Sequence, residues 1–509
     1  MQAFSPIQTG GASQSARYTR CCLTATPLRL VRPWRSTTRH GVTPLSNGSY
    51  VWRLPNKAGP IDALAGRVRV LLLSHCFPPD GEVGSLRAAK VSQAFAAAGH
   101  EVHVVTTRLA GELEAIRAPG DGITLHSVRA LPHPRKAYLL AKSWLGRNGT
   151  SHLSPPDVPP GATSVLTRYL LSLLWLPDEH QGFIPPAVWA CWDIHRRCGK
   201  VDLLYTTAPP FSAHLAGLIF KRMTGVTWAA EFRDPWTDNP AKPARLRTRF
   251  SDAVDRRLER LCLRNADHIV AVTDAAHDLL ARKVTPHRSR QFVMVRNGID
   301  RLTPPGPSAP LPGLLRIVHS GSIYHRRDPR PFLRALASLH RRGRLGEGDV
   351  QVEFLGDRWF HHVSIEQVAL DLGLSARVHC RGWVPQDVHH KVVEQADLLL
   401  LFAQHEPASV QNKLFDYLGA RKPVLAFADA DGEVAQMLHR VGGHYLVTQD
   451  DPSVAETVLE KALSDLRMAR GRHTNEEVLR EWTTEHQMSR LLAALSGIGE
   501  DATRARLGR

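Results

Sequence analysis

The stretch from Val68 to Arg108, VRVLLLSHCFPPDGEVGSLRAAKVSQAFAAAGHEVHVVTTR, runs from an apolar strand through a glycine-containing loop into a helix and out into a second strand. Val68 to Leu73 reads as a parallel strand buried on both faces, and two prolines and two glycines turn the chain between His75 and Gly84. Leu86, Val91 and Phe95 recur at helical spacing, Gly99 stops the helix, and Val102 to Val105 resumes a strand. The loop therefore belongs at the carboxyl end of a strand, where open α/β sheets bind ligands. Gly81 and Gly84 let backbone amides approach an anion at the start of the following helix, although a plain turn between strand and helix satisfies the same residues.

With 509 residues the chain exceeds what one hydrophobic core supports, so two or more domains are expected. No apolar run reaches the length of a membrane span. The longest, Tyr169 to Leu176, is too short, which limits any membrane contact to a peripheral one. Seven cysteines without metal-ligand spacing point to a reducing, cytoplasmic setting rather than to a disulfide framework. Of the net charge of +17, eight positive charges lie in residues 1–61, which contain no acid. Residues 1–66 are expected to be a disordered basic extension; a transit peptide or a misplaced start codon would share this look. The remaining excess favours anionic partners. The basic runs HRRDPR and HRRGR lack interleaved aromatics, so nucleic acid is not an expected partner.

Strands are expected at Ile123–Val128, Asp202–Thr206, Thr227–Phe232, His268–Val272 and Phe292–Val295, with helices at Thr167–Trp175 and Phe211–Thr224. These complete a first domain over residues 67–300. Five prolines in RLTPPGPSAPLPG mark residues 301–313 as a linker. A second alternating series fills residues 314–474, with strands at Leu315–His319, Val350–Leu355, Arg377–Cys380, Leu398–Phe402, Pro423–Phe427 and His444–Val447. A helix over 475–495 carries Trp482, Met488, Leu491 and Leu495 on an apolar face expected to pack back on the first domain, and residues 496–509 form a tail. The expected architecture is α/β, two Rossmann-like doubly wound domains with a cleft between them.

Three motifs carry chemistry in this frame. Arg233 and Asp234 follow a buried strand and are delivered to the cleft edge, where a carboxylate can position or deprotonate a hydroxyl and an arginine can clamp an anion; an ion pair capping the strand is the ordinary alternative. Gly321-Ser-Ile-Tyr-His-Arg-Arg327 repeats the strand, glycine loop, helix arrangement. There Arg326 and Arg327 match the oxygens of a diphosphate or stand as solvated surface arginines. Lys413 and Asp416 share a helix face, where the lysine can meet phosphate and the acid can accept from ribose hydroxyls, or the two can pair with each other. Asp429-Ala-Asp431 and the pairs His361-His362 and His389-His390 lack the spacing of a metal site, so neither a metal nor another cofactor is expected.

Taken together, SHCFPPDGEVGSLR, TTAPPFSAH, WAAEFRDPWTD, ADHIVAVTDAA, VRNGID, VHSGSIYHRRDP, VEFLGD, RVHCRGWVP, ADLLLLFA and KLFDYLGARKPVLAF resemble the GT-B glycosyltransferases of the retaining family 4, in their capsule and exopolysaccharide branch. The resemblance spans roughly Val68 to Leu495. It implies a nucleoside diphosphate sugar as donor, a carbohydrate or lipid-linked acceptor, and transfer with retention and without a metal. It places Gly84 and Gly321 near the donor phosphates, Asp234 where relatives hold a catalytic histidine or acid, and Arg327 in the slot of the phosphate-binding lysine. Asp416 matches the ribose-binding acid of a paired-glutamate motif, and Val384 lies where relatives hold the base through backbone groups. Two positions depart from the pattern. Ser322 replaces the usual arginine, with Arg326 as a candidate substitute, and Ala408 replaces the first acid, with Glu406 two residues away. A sugar-nucleotide 2-epimerase of the same fold and an inactive sugar-nucleotide-binding protein are the alternatives.

Overall fold

In the computed structural model the described residues are 67–78, 80, 83–107, 122–132, 172, 175–239, 248–284, 291–304, 313–323, 327–346, 348–356, 358–360, 363–449, 451–468 and 473–496. All belong to one unit, Trp52–Arg509. The basic extension, much of the proline-rich linker, Arg326, His361-His362, the final tail and all of the Thr167–Trp175 helix except Ser172 and Trp175 lie outside the described residues.

The first sheet contains β1 (Arg69–Leu73), β2 (Glu101–Thr107), β3 (Ile123–Val128), β4 (Leu203–Ala208), β5 (Thr227–Phe232), β6 (His268–Ala271) and β7 (Gln291–Met294), in the order β3-β2-β1-β4-β5-β6-β7. Every pairing is parallel. Its helices are α1 (Val83–Ala97), α2 (Ile184–Arg197), α3 (Ser212–Thr224), α4 (Arg249–Asn265) and α5 (Asp274–Ala281). The second sheet runs β12-β9-β8-β13-β14-β15, again parallel throughout. It is built from β8 (Leu315–Ser320), β9 (Val350–Leu355), β12 (Val378–Gly382), β13 (Leu398–Ala403), β14 (Val424–Ala428) and β15 (Tyr445–Val447). Between β9 and β12 a small antiparallel pair, β10 (Trp359–Phe360) and β11 (Val363–Ser364), leads into α7 (Ile365–Asp371). The other helices are α6 (Arg330–Arg341), α8 (Gln386–Gln395), α9 (Asn412–Gly419), α10 (Glu433–Val441), α11 (Pro452–Arg467), α12 (Glu476–Glu481) and α13 (Thr484–Ala494).

Two doubly wound sheets are thus present, as the alternation of apolar runs and amphipathic helices requires. Strand order reverses between β1 and β4 in the first and between β8 and β13 in the second, which puts the ligand crevice of each at those carboxyl ends. β4, β13 and β14 are buried at every residue, the signature of parallel strands covered by helices on both faces. Turn chemistry sets several boundaries. α3 ends at Gly225, whose φ of 73° only glycine adopts freely, and Thr248 with Ser251 forms a reciprocal cap at the start of α4.

The single helix expected over 475–495 is two. Trp482 is fully buried and ends α12, and the Thr483 hydroxyl caps α13 by accepting from the His486 amide. Between them Ile299 and Thr483 form a parallel bridge, with Ile299 N–H donating to Trp482 O at 2.8 Å and Thr484 N–H to Ile299 O at 3.0 Å. α13 buries Met488, Leu491, Leu492 and Leu495 in the same cluster as Val70, Val91, Phe95 and Val295. α13 therefore packs on the first sheet although it follows the last strand of the second. Leu491→Ala is expected to destabilise the protein by about 2 to 5 kcal/mol, since the side chain is fully enclosed, as read by urea unfolding.

Candidate functional site

On the first sheet the site begins with Glu231, a charged residue inside the apolar strand β5 and 0% exposed. Its carboxylate accepts from Arg87 Nε at 3.0 Å and Nη2 at 2.8 Å, from the Tyr205 hydroxyl at 2.8 Å and from the Thr207 hydroxyl at 2.6 Å. Burial opposes ionisation of Glu231, but the Arg87 guanidinium and these hydrogen bonds outweigh it and hold the carboxyl below its usual range. Arg87 also donates to the carbonyls of Val295 and Arg296, so α1, β5 and the exit from β7 share one polar centre.

Two residues beyond Glu231, Arg233 donates to the carbonyls of Gly84 and Pro209. An added Cβ on Gly84 would stand 2.6 Å from both terminal nitrogens of this guanidinium, so a larger residue would push the Arg233 side chain aside. The expected anion clamp is instead occupied in tying the glycine loop of α1 to the ends of β4 and β5. Asp234 is partly buried. Burial raises its carboxyl above the ordinary range, Glu406 adds to the rise, and Arg233 and Arg327 oppose it. Asp234 therefore feels charges that belong to the second sheet.

The second sheet brings its glycines together. Gly321, at φ 94°, donates to Leu355 O at 2.7 Å, Gly356 donates to Gly382 O at 2.7 Å, and a Cβ on Gly356 would meet the Gly321 backbone at 2.9 Å. Val384 follows Gly382 and is partly buried, while Trp383 between them is 75% exposed. Arg327 pairs with Glu406 at 2.9 Å, both side chains nearly buried. Lys413 lies over Gly321, its Nζ 3.0 Å from where a Cβ would be, and 3.4 Å from Nε2 of His319. His319 is buried between Phe354 and Phe402, with Nδ1 2.9 Å from Leu400 O. Desolvation, aided by Lys413, keeps it far below the usual imidazole range and hence neutral. Burial and the Arg327 charge bring Lys413 down to about 7 against the pull of Glu406.

Asp416 does not engage Lys413. It stands near Asp300 and Lys90, a pair 2.6 Å apart, and burial with the Asp300 charge raises it to about 7. Asp429, from the discounted acidic triplet, accepts from the His405 amide at 3.1 Å, and no cluster of metal-ligating side chains occurs among the described residues. Thus Gly321, Arg327 and Lys413 converge with Glu406, and Asp234 faces them from the first sheet. Gly84 and Arg233 hold one another, and Asp416 lies apart at the crossing between the sheets. Glu231, Arg87 and His319 escaped the motif reading, although a charged or imidazole side chain within an apolar strand is itself a signal of a buried partner.

A cleft between two parallel α/β units with their carboxyl edges turned to it is the GT-B architecture. Sucrose-phosphate synthase from Thermosynechococcus elongatus is similar at a TM-score of 0.52 and 15% identity, with 87% of this chain and 99% of that one covered. The N-terminal domain of Candida albicans trehalose-6-phosphate phosphatase is similar at 0.57 and 10%, covering 86% and 98%. A glycosyltransferase from Rickettsia africae ESF-5 is similar at 0.50 and 12%, covering 85% and 98%. No curated protein matches by sequence. A glycosyl transferase 4-like domain model matches residues 84–298 and a glycosyl transferase-like model matches 326–493. Each half of the chain thus matches a glycosyl transferase domain model, and the fold they share is of the GT-B type.

Asp416 yields a pH test. Its carboxyl is raised from 3.8 to about 7 on folding, so its contribution to stability is complete at low pH and lost as pH rises through that interval. Asp416→Asn removes the ionisation, and its thermal midpoint is expected to gain on that of the wild type progressively between pH 4 and pH 7. Parallel midpoint curves over that range would show the carboxyl to be ordinary.

Proposed function

We propose that this protein transfers a sugar from a nucleoside diphosphate sugar to an acceptor hydroxyl with retention of configuration, in the synthesis of a cell-surface polysaccharide or glycolipid. The observation that carries the reading is the convergence of Arg327, Glu406 and Lys413 with Asp234 across the cleft. The bond between the anomeric carbon and the diphosphate oxygen breaks and its electron pair leaves with the diphosphate. Arg327 and Lys413 stabilise the charge that develops there; the anionic diphosphate favours the protonated form of Lys413, whose amine the empty site brings down to about 7. The acceptor oxygen bonds to the same face, and its proton passes to a donor phosphate oxygen. Asp234 orients the acceptor or the transferred sugar, while Arg233 fixes the loop of Gly84 and so acts as a positioning residue. Gly321 gives the diphosphate close access to the backbone. Val384 holds the base, Asp416 accepts from the ribose, and Arg326 adds charge to the donor loop. No metal or other cofactor is assigned a step.

A lipid-linked acceptor on the inner face of the cell membrane fits the outer side of α4, where Arg257, Arg260 and Arg264 flank Val254 and Leu261 along a groove. No helix among the described residues is long and apolar enough to cross a membrane. Flotation with anionic liposomes tests this contact.

A thermal-shift screen of nucleoside diphosphate sugars identifies the donor, because a ligand that binds the folded state raises its midpoint. Arg327→Ala and Lys413→Ala are each expected to weaken that donor by about 1.5 to 3 kcal/mol, the range for hydrogen bonds to charged groups. Unchanged affinity in both folded variants would sink the assignment of the diphosphate site. Asp234→Asn is expected to lower turnover by about 10² or more with donor affinity near wild type, and a wild-type rate would falsify its role. Conversion of the donor without any acceptor would identify an epimerase instead.

A further inference from the structure

The loop that carries Glu406 is fastened at several points besides the bond from the His405 amide to Asp429. Gln404 donates to Asp328 O at 2.9 Å and Glu406 accepts from Arg327, both within the second domain. The Pro407 carbonyl accepts from the Glu433 amide at 2.9 Å, and the Ala408 carbonyl accepts at 2.9 Å from the hydroxyl of Thr273, which belongs to the first domain. Glu433, the first residue of α10, is 2% exposed, and its carboxylate also crosses to the first domain. There it accepts from the amides of Asp274 and Ala275 at 3.1 and 3.4 Å and from Arg296 Nη1 at 2.5 Å. Arg296 also pairs with Asp274, lies over the Trp482 ring at 5.7 Å, and has its amide fixed by Gln487 at 2.7 Å.

We infer that Glu433 is a positioning residue that makes the shape of the donor loop depend on the meeting of the two domains. The first turn of α5 presents unpaired amides and a positive end, and a carboxylate from the opposite domain fills that place. The same residue holds Pro407 through its own amide, so contact with α5, made by the carboxylate, and placement of the Glu406–Arg327 pair, made by the amide, share one residue. Ala408 completes the coupling from Thr273.

The inference rests on the proposed glycosyl transfer only for its kinetic arm. Hydrogen exchange on the ligand-free protein decides the structural arm. In Glu433→Gln, which keeps the shape and loses the charge, amides of residues 274–276 and of His405, Glu406, Ala408 and Ser409 are expected to exchange about tenfold faster, with the strands of the second sheet unchanged. Glu433→Asp, which keeps the charge on a shorter arm, is expected to lie between the two and serves if the amide variant does not fold. Exchange equal to wild type at both segments, or acceleration spread evenly over the second domain, would overturn the inference. With a donor in hand, kcat is expected to fall about tenfold while the donor KM stays within about threefold, because Arg327 and Lys413 are retained and only the loop that aligns Arg327 is loosened. A change confined to KM would overturn the positioning role, whereas absence of any sugar turnover in the wild type would count against the proposed activity and leave the exchange result standing.

Discussion

The buried pair of Arg87 and Glu231 is the contact from which the first half of the cleft is built. Removing two charges from water costs several kcal/mol each, and a single salt bridge rarely returns that amount. Here the cost is offset by a full set of partners: the carboxylate accepts four hydrogen bonds, and the guanidinium reaches two backbone carbonyls besides. The helix behind the glycine loop is thereby locked to β5, so the residues that follow that strand, Arg233 and Asp234, emerge at a fixed height. Arg233 then reaches back to Gly84, closing the circuit between loop and strand. A packed apolar pair at the same place would be more easily rearranged and would supply no such directional tie.

Much of this architecture was legible because buried parallel strands announce themselves. β3, β5 and β9 occupy the spans their apolar runs delimit, and most other strands differ by one or two residues. The misses share a cause. α2 starts at Ile184-Pro-Pro, where adjacent prolines look like a break yet suit the first turn of a helix. The two-residue strands β10 and β11 are too short for any period, and the split between α12 and α13 depends on a cap at Thr483 inside a continuous helical pattern.

The site was legible where strand ends and glycine loops meet, and opaque where the partner lies far along the chain. Arg327 and Lys413 could be found from their places after β8 and at the start of α9, and the structure sets them in one electrostatic field. Spacing on the helix assigns Lys413 and Asp416 to one face, but the first lies by His319 and the second by Asp300. Arg233 reads as an anion clamp from its position alone, because nothing local reveals that two carbonyls already claim it. Glu433 and Arg296 are separated by more than a hundred residues, and neither has a motif of its own.

The bridge between Ile299 and Thr483 has a mechanical meaning. The polypeptide passes from the first sheet to the second near residue 300 and returns near residue 483, and the two passages lie hydrogen-bonded side by side. Gly298 packs so closely on Thr484 that a Cβ would stand 2.3 Å from its Cα. Two strands of chain fused along one short line act as a knuckle rather than as a tether. Together they tie the two halves more firmly than the single covalent crossing near residue 300 would, and they do so at a place separate from the Glu433 contacts.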